Sequence, residues 1–139
     1  MNPKIKQVMY DIVEQNPYIL DMDISLTEYE EGYAKGEMRI HERHLNPYRS
    51  VHGGALYTLA DVISGCAACS CGNYATTVTG SMNYLKPAIN TGKIYCEARA
   101  VRDGKQISVY DVCLTDDRGE LVETGTFTFY IMNRSIIEE

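Results

Sequence analysis

Tryptophan is absent from the 139 residues and phenylalanine occurs only twice, so the aromatic content rests on 11 tyrosines. Tyrosine is an ordinary strand residue, and this bias selects no aryl ligand by itself. An excess of basic residues is also missing. Thirteen Lys and Arg stand against nineteen Asp and Glu, a net charge of −6, which leaves no footprint for nucleic acid. No apolar run follows the opening Met-Asn-Pro-Lys-Ile-Lys, so a secretory signal is not expected and the chain reads as cytoplasmic. The cysteines number five, an odd count unsuited to a disulfide framework. Cys66 and Cys69 have the spacing of a metal pair, but no second Cys or His pair at ligand spacing follows, so neither a metal nor another cofactor is expected. Internal repeats, linkers and low-complexity runs are lacking too. Residues 1–139 therefore read as one domain, long enough to bury a core without staples.

What is present centres on residues 52–71, His-Gly-Gly-Ala-Leu-Tyr-Thr-Leu-Ala-Asp-Val-Ile-Ser-Gly-Cys-Ala-Ala-Cys-Ser-Cys. From Gly54 on, this stretch reads as a helix of about 18 residues, or roughly 27 Å. It is apolar on every side, as a buried helix is. It is short for a membrane span and one carboxylate, Asp61, interrupts it, so no membrane partner is expected. Two glycines open it and let backbone approach a ligand. The free N–H groups of its first turn favour negative charge there.

Around this helix the pattern changes period. Residues 4–15 place Ile5, Val8, Met9, Ile12 and Val13 at helical spacing, and Asn16-Pro17 stops that helix. The core spans about residues 20–132. Leu20 to His41 reads as a hairpin turning at Glu30-Glu31-Gly32, and residues 45–51 form a loop. After the central helix, capped by Gly72-Asn73, four strands follow: 75–85, 94–101, 107–114 and 121–132. Short turns, Asp103-Gly104 among them, make these strands antiparallel. Along the last strand Phe127, Phe129 and Ile131 share one face, and Thr124, Thr126 and Thr128 the other. A single sheet curled round one apolar helix satisfies this α+β order. Its exposed edges call for a second copy.

Asp61 is the sharpest chemical feature. A carboxylate inside an apolar helix is costly unless it is paired or working. By pattern alone it is either a reactive group or a core residue bonded to Ser, Thr or Tyr. His52 is either a base or a loop anchor whose ring bonds Asn46. Asn46 holds a ligand or forms an Asx-type turn before Pro47. Tyr57, one helical turn before Asp61, lines a pocket or fills the core.

The combination Asn46-x-x-x-x-x-His52-Gly53-Gly54, Leu59-x-Asp61 and Tyr84-Leu85-x-Pro87-Ala88 resembles hotdog-fold acyl-CoA thioesterases of the phenylacetate-pathway (PaaI-like) type. The likeness spans about residues 20–131. It implies a six-stranded antiparallel sheet wrapped round a long buried helix, homodimers or homotetramers, and active sites between protomers. It implies acyl-CoA as substrate, with Asp61 attacking the thioester carbonyl or activating the water that does. The Gly53 N–H would polarise the carbonyl, a contribution often worth ~3 kcal/mol. It favours His52 as the anchor and sets Asn46 beside the attacking water or the thioester. Thr77, counted back from Tyr84, falls where the family often has Ser or Thr near that water. Tyr57 would border the substrate, and Gly54 either borders it too or serves packing. One departure stands out: family members commonly carry Gly three residues after the Asn, where this chain has Arg49, so that either the loop differs in shape or Arg49 contacts the coenzyme phosphates. The alternative reading is a non-catalytic acyl-CoA-binding hotdog module, which has no need of a buried carboxylate. An enoyl-CoA hydratase would need Asp and His five apart, a spacing absent around His41, His44 and His52.

Overall fold

In the computed structural model, which describes residues 1–137, the elements are α1 (Pro3–Gln15), α2 (Pro17–Asp21), β1 (Ile24–Glu30), β2 (Tyr33–Arg39), α3 (Gly53–Ala68), β3 (Asn73–Tyr84), β4 (Lys93–Asp103), β5 (Ile107–Thr115) and β6 (Leu121–Ser135). The six strands form one antiparallel sheet in the order β1-β2-β4-β5-β6-β3. This is the hotdog arrangement: the sheet wraps α3, which touches every strand.

Two features differ from the sequence reading. First, Asn16-Pro17 does more than stop α1. The Asn16 side chain accepts from the Ile19 N–H and Pro17 takes the first position of the short α2, where its missing N–H costs nothing. Second, β3 does not pair with its successor β4. It crosses to the far edge and pairs with β6 along nearly its whole length. Leu85 to Gly92, carrying Pro87, has no tight hairpin chemistry, so the chain is free to travel.

Alternation fixes which face is inside. Ala34, Met38, Ile94, Cys96, Ala98, Tyr110, Val112, Leu114, Phe127 and Phe129 are buried against Leu59, Ile63 and Ala67 of α3. The buried Tyr29 and Tyr110 hydroxyls donate to the Cys66 and Ala67 carbonyls at 2.7 and 3.1 Å, tying the end of α3 to the sheet. The helix and sheet approach closely at Gly36, where a Cβ would lie 2.2 Å from Ile63 Cδ1 and 2.6 Å from the Ser25 carbonyl oxygen. Gly72, at φ +99°, ends the helical region after a final tight turn at Cys69–Cys71.

The two sheet edges are unequal. α1 and α2 pack along β1. β3 has only β6 beside it, and Thr76, Thr77, Val78 and Thr79 are exposed. All five cysteines are free; Cys66, Cys69 and Cys96 are buried, whereas Cys71 and Cys113 face out.

Candidate active site

Asp61 lies two turns into α3, half-buried, on the side of the helix that looks toward β3. The Thr77 hydroxyl on β3 donates to Asp61 Oδ1 at 2.7 Å. The sheet edge thus fixes the carboxylate's orientation and leaves its second oxygen outside that bond. The pair borders a cavity of about 220 Å³ whose other walls are mainly apolar, with Met9, Ile12 and Val13 from α1 opposite Cys66 and Phe129.

Gly53 is the first residue of α3, and its N–H has no acceptor among the described residues. The Tyr84 hydroxyl donates to the Gly53 carbonyl at 3.1 Å and anchors this first turn to the end of β3. Burial pushes the Tyr84 phenol above its ordinary range, so it stays a neutral donor. Gly53 shares a second cavity, about 280 Å³, with Asn46, Ser50, Leu56, Tyr84 and Pro87.

The Asn46 side chain is committed to its own loop. Its Oδ1 accepts from the Tyr48 and Ser50 N–H groups at 2.9 and 3.1 Å, and its Nδ2 donates to Ser50 Oγ at 2.8 Å. This is the Asx-type turn, closed on a site-facing residue. The His52 ring does not bond Asn46, contrary to expectation. Its Nδ1 accepts from the Gly54 N–H at 2.8 Å, making His52 the cap of α3. The Gly54 N–H is taken by that cap.

Within one chain, Asp61 and Thr77 border one cavity while Asn46 and Gly53 border another. Eight helical residues separate Asp61 from Gly53, a rise of about 12 Å. Inside a single protomer the Gly-Gly start and Asp61 therefore look into different cavities.

The family model described as the thioesterase superfamily matches residues 48–123, more than half the chain and the whole of α3. The chain belongs to this superfamily. Its relatives include acyl-coenzyme A thioesterase 13 from Homo sapiens, 32% identical over 79% of this chain and 81% of that protein. The acyl-coenzyme A thioesterase PaaI from Escherichia coli is 27% identical over 88% of this chain and 87% of its own. Among solved structures, a Streptococcus mutans protein bound to acetyl CoA is 31% identical, with a TM-score of 0.76 over 81% of this chain and 90% of that one. With these relatives the chain is a thioester hydrolase of the PaaI-like type.

Against this thioesterase pattern, Arg49 has a local explanation. Its φ is +69°, the left-handed conformation that glycine adopts freely, so the loop keeps its shape where the family commonly has Gly. The guanidinium makes a two-pronged ion pair with Glu42 on the surface. That pairing lowers the Glu42 carboxyl below its usual range. Since Glu42 occupies the guanidinium, Arg49→Gly is expected to change KM equally for an acyl-CoA and for an acyl thioester lacking the nucleotide. A KM increase confined to the acyl-CoA would instead put Arg49 on the coenzyme phosphates.

Tyr57 fills the core: its ring packs on Phe127 at 5.2 Å between centroids. The residue that the sequence reading missed is Glu123 on β6. It is fully buried, and neither carboxyl oxygen has a hydrogen-bond partner among the described residues. It stands opposite Tyr84 on β3 and Leu114 on β5, on the face turned to α3. The signal was available, because Glu123 has the same strand parity as Phe127, Phe129 and Ile131.

Proposed function

We propose that the chain hydrolyses acyl-CoA to a free acid and coenzyme A, at sites each built from two copies of the chain. The supporting observation is the division of the chemical groups. The held carboxylate, Asp61, and the unpartnered donor, the Gly53 N–H, lie about 12 Å apart along α3, too far for one thioester carbonyl. A second copy removes the difficulty if it pairs along β3. That edge is long and open, and it lies beside Asp61 through Thr77. Exposed Val78, Tyr84 and Leu85 would be covered by the same contact. A two-fold axis there lets Asp61 of one protomer face the α3 start of the other, and produces two equal sites.

The roles follow from the groups. The partner's helix start offers the N–H as the carbonyl oxygen gains negative charge. Asp61, held by Thr77, acts on the carbonyl carbon directly or by taking a proton from water. When water attacks, the C–S bond breaks, the acid forms and the thiolate leaves with the proton taken from that water. When Asp61 attacks, the C–S bond breaks to leave an acyl–aspartyl anhydride, which a water then cleaves to the acid and free Asp61, its proton going to the thiolate. An acyl-CoA-binding module without catalysis has no use for the Asp61–Thr77 pair. Steady release of free thiol from acyl-CoA, read with a thiol reagent, is the expected result. Saturable binding with no thiol released would contradict hydrolysis.

A further inference from the structure

The Gly53 N–H can serve as a donor only if the residue that carries it is held still. We propose that Tyr84 is its positioning residue, and that the buried carboxyl of Glu123 beside Tyr84 governs whether the phenol hydroxyl stays on Gly53. This rests on the reading of the Gly53 N–H as the donor to the thioester oxygen.

Gly53 brings no side chain to lodge against the sheet, so its two peptide planes are held from outside. The plane before it is fixed by the His52 carbonyl, which accepts from the Ala55 and Leu56 N–H groups at 2.9 and 3.1 Å. The plane after it is held at both ends. The Gly54 N–H donates to His52 Nδ1 at 2.8 Å, and the Gly53 carbonyl accepts from the Tyr84 hydroxyl at 3.1 Å. Of these bonds only the last comes from the sheet. The same strand, β3, holds the Asp61 carboxylate through Thr77. Hydroxyls of one edge strand thus position both chemical groups.

Glu123 on β6 stands directly opposite Tyr84, its side chain on the same face of the sheet. It is fully buried, and its carboxyl has no hydrogen-bond partner among the described residues. An ionised carboxylate is a stronger acceptor than a backbone carbonyl. Once Glu123 loses its proton, the Tyr84 hydroxyl turns from Gly53 to the carboxylate, and the helix start loses its tie to the sheet. The other groups nearby do not compete for that role. Cys96 on β4 offers only a thiol and Leu114 on β5 nothing polar. Tyr57 on α3 faces Tyr84 but carries its hydroxyl to Gly80. Lys86, two residues beyond Tyr84, is turned to Glu120 on the surface.

The test is kcat and KM on one acyl-CoA, from pH 6 to about 9.5, for the wild type, Tyr84→Phe and Glu123→Gln, with thermal unfolding at each pH. Tyr84→Phe keeps the ring and removes the bond. Its kcat at pH 7 should fall about 10–100-fold, with KM within about threefold. Wild-type kcat should fall above about pH 8 toward the Tyr84→Phe level, since burial pushes the Glu123 carboxyl up to about 8. Glu123→Gln and Tyr84→Phe should both lack that fall. A merely structural tyrosine would lower Tm and leave turnover per folded molecule, and its pH profile, as they are. A folded Tyr84→Phe protein within about twofold of wild-type kcat overturns the positioning role, as does a loss carried by KM alone. A fall above pH 8 that persists in Glu123→Gln, or its absence from the wild type, overturns the part given to Glu123. If Tyr84→Phe does not fold, the Glu123→Gln profile decides. A wild type that releases no thiol from any acyl-CoA overturns the underlying reading instead.

Discussion

Asp61→Asn is expected to lower kcat by about 10²–10⁴-fold, the range for losing a positioned acid or base. KM should move far less, because binding rests on other contacts. Asparagine keeps the size and the oxygen that accepts from Thr77 Oγ1, so the helix–strand bond survives. The negative charge is all that is removed. The melting temperature should hold or rise, since a neutral amide replaces a half-buried carboxylate in an otherwise apolar helix. A purely structural Asp61 gives the reverse: stability falls and residual activity follows the folded fraction. Measuring turnover and unfolding on one preparation separates the two. A folded Asp61→Asn protein within threefold of wild-type kcat would remove Asp61 from the chemistry.

Glu123→Gln is expected to stabilise the protein at neutral pH and to flatten its stability profile. Burial without a hydrogen-bond partner pushes the Glu123 carboxyl from 4.5 up to about 8. Between those values the unfolded chain ionises this group and the folded chain does not. The folded state then binds the extra proton, so stability falls as pH rises from about 4.5 to 8 and is unaffected by this group outside that window. Its neighbours Tyr84 and Cys96 are both raised by burial and do not titrate there. At pH 7 the gain from Gln should be on the order of 2 kcal/mol, or roughly 5 °C in Tm. Near pH 4 it should almost vanish, because a protonated Glu and a Gln are then both neutral. Equal shifts in Tm at pH 4 and pH 8 would show that the carboxyl is not held neutral by the fold.

Much of this fold was legible because its elements have clean periods. The helix at residues 4–15, the apolar α3 and the antiparallel pairs all announce themselves through spacing and turn residues. The place of β3 was not legible. Sequence neighbours usually pair, and only the closure of the sheet round α3 sends β3 to the edge beside β6. The site divides along the same line. Asp61 was legible as a carboxylate among Ala, Leu, Ile and Val, whereas Thr77 was singled out by the family resemblance as a residue near the water, and its bond to Asp61 comes from the pairing of helix and sheet edge. The His52 ring was assigned to Asn46, yet the N–H two residues on is nearer and needs an acceptor at a helix start. Arg49 looked like a change of loop shape, but its positive φ keeps the glycine-like bend. Glu123 was hidden by its chemistry, since a charged residue on a strand is ordinarily assigned to the wet face.

Sharing of the site between copies is tested most directly by mixing two inactive variants. Asp61→Asn removes the carboxylate. Gly53→Pro removes the N–H at the first helical position, where proline is well accommodated, and His52 before it is already extended at φ −59° and ψ 135°. Each variant alone should be nearly inactive. Unfolded together and refolded, half of the dimers should be mixed. In a mixed dimer, one site carries both substitutions and the other carries neither. Recovery of about a quarter of wild-type activity is the expected result. Activity no greater than the average of the two parents would place the whole site within one protomer and contradict the shared arrangement.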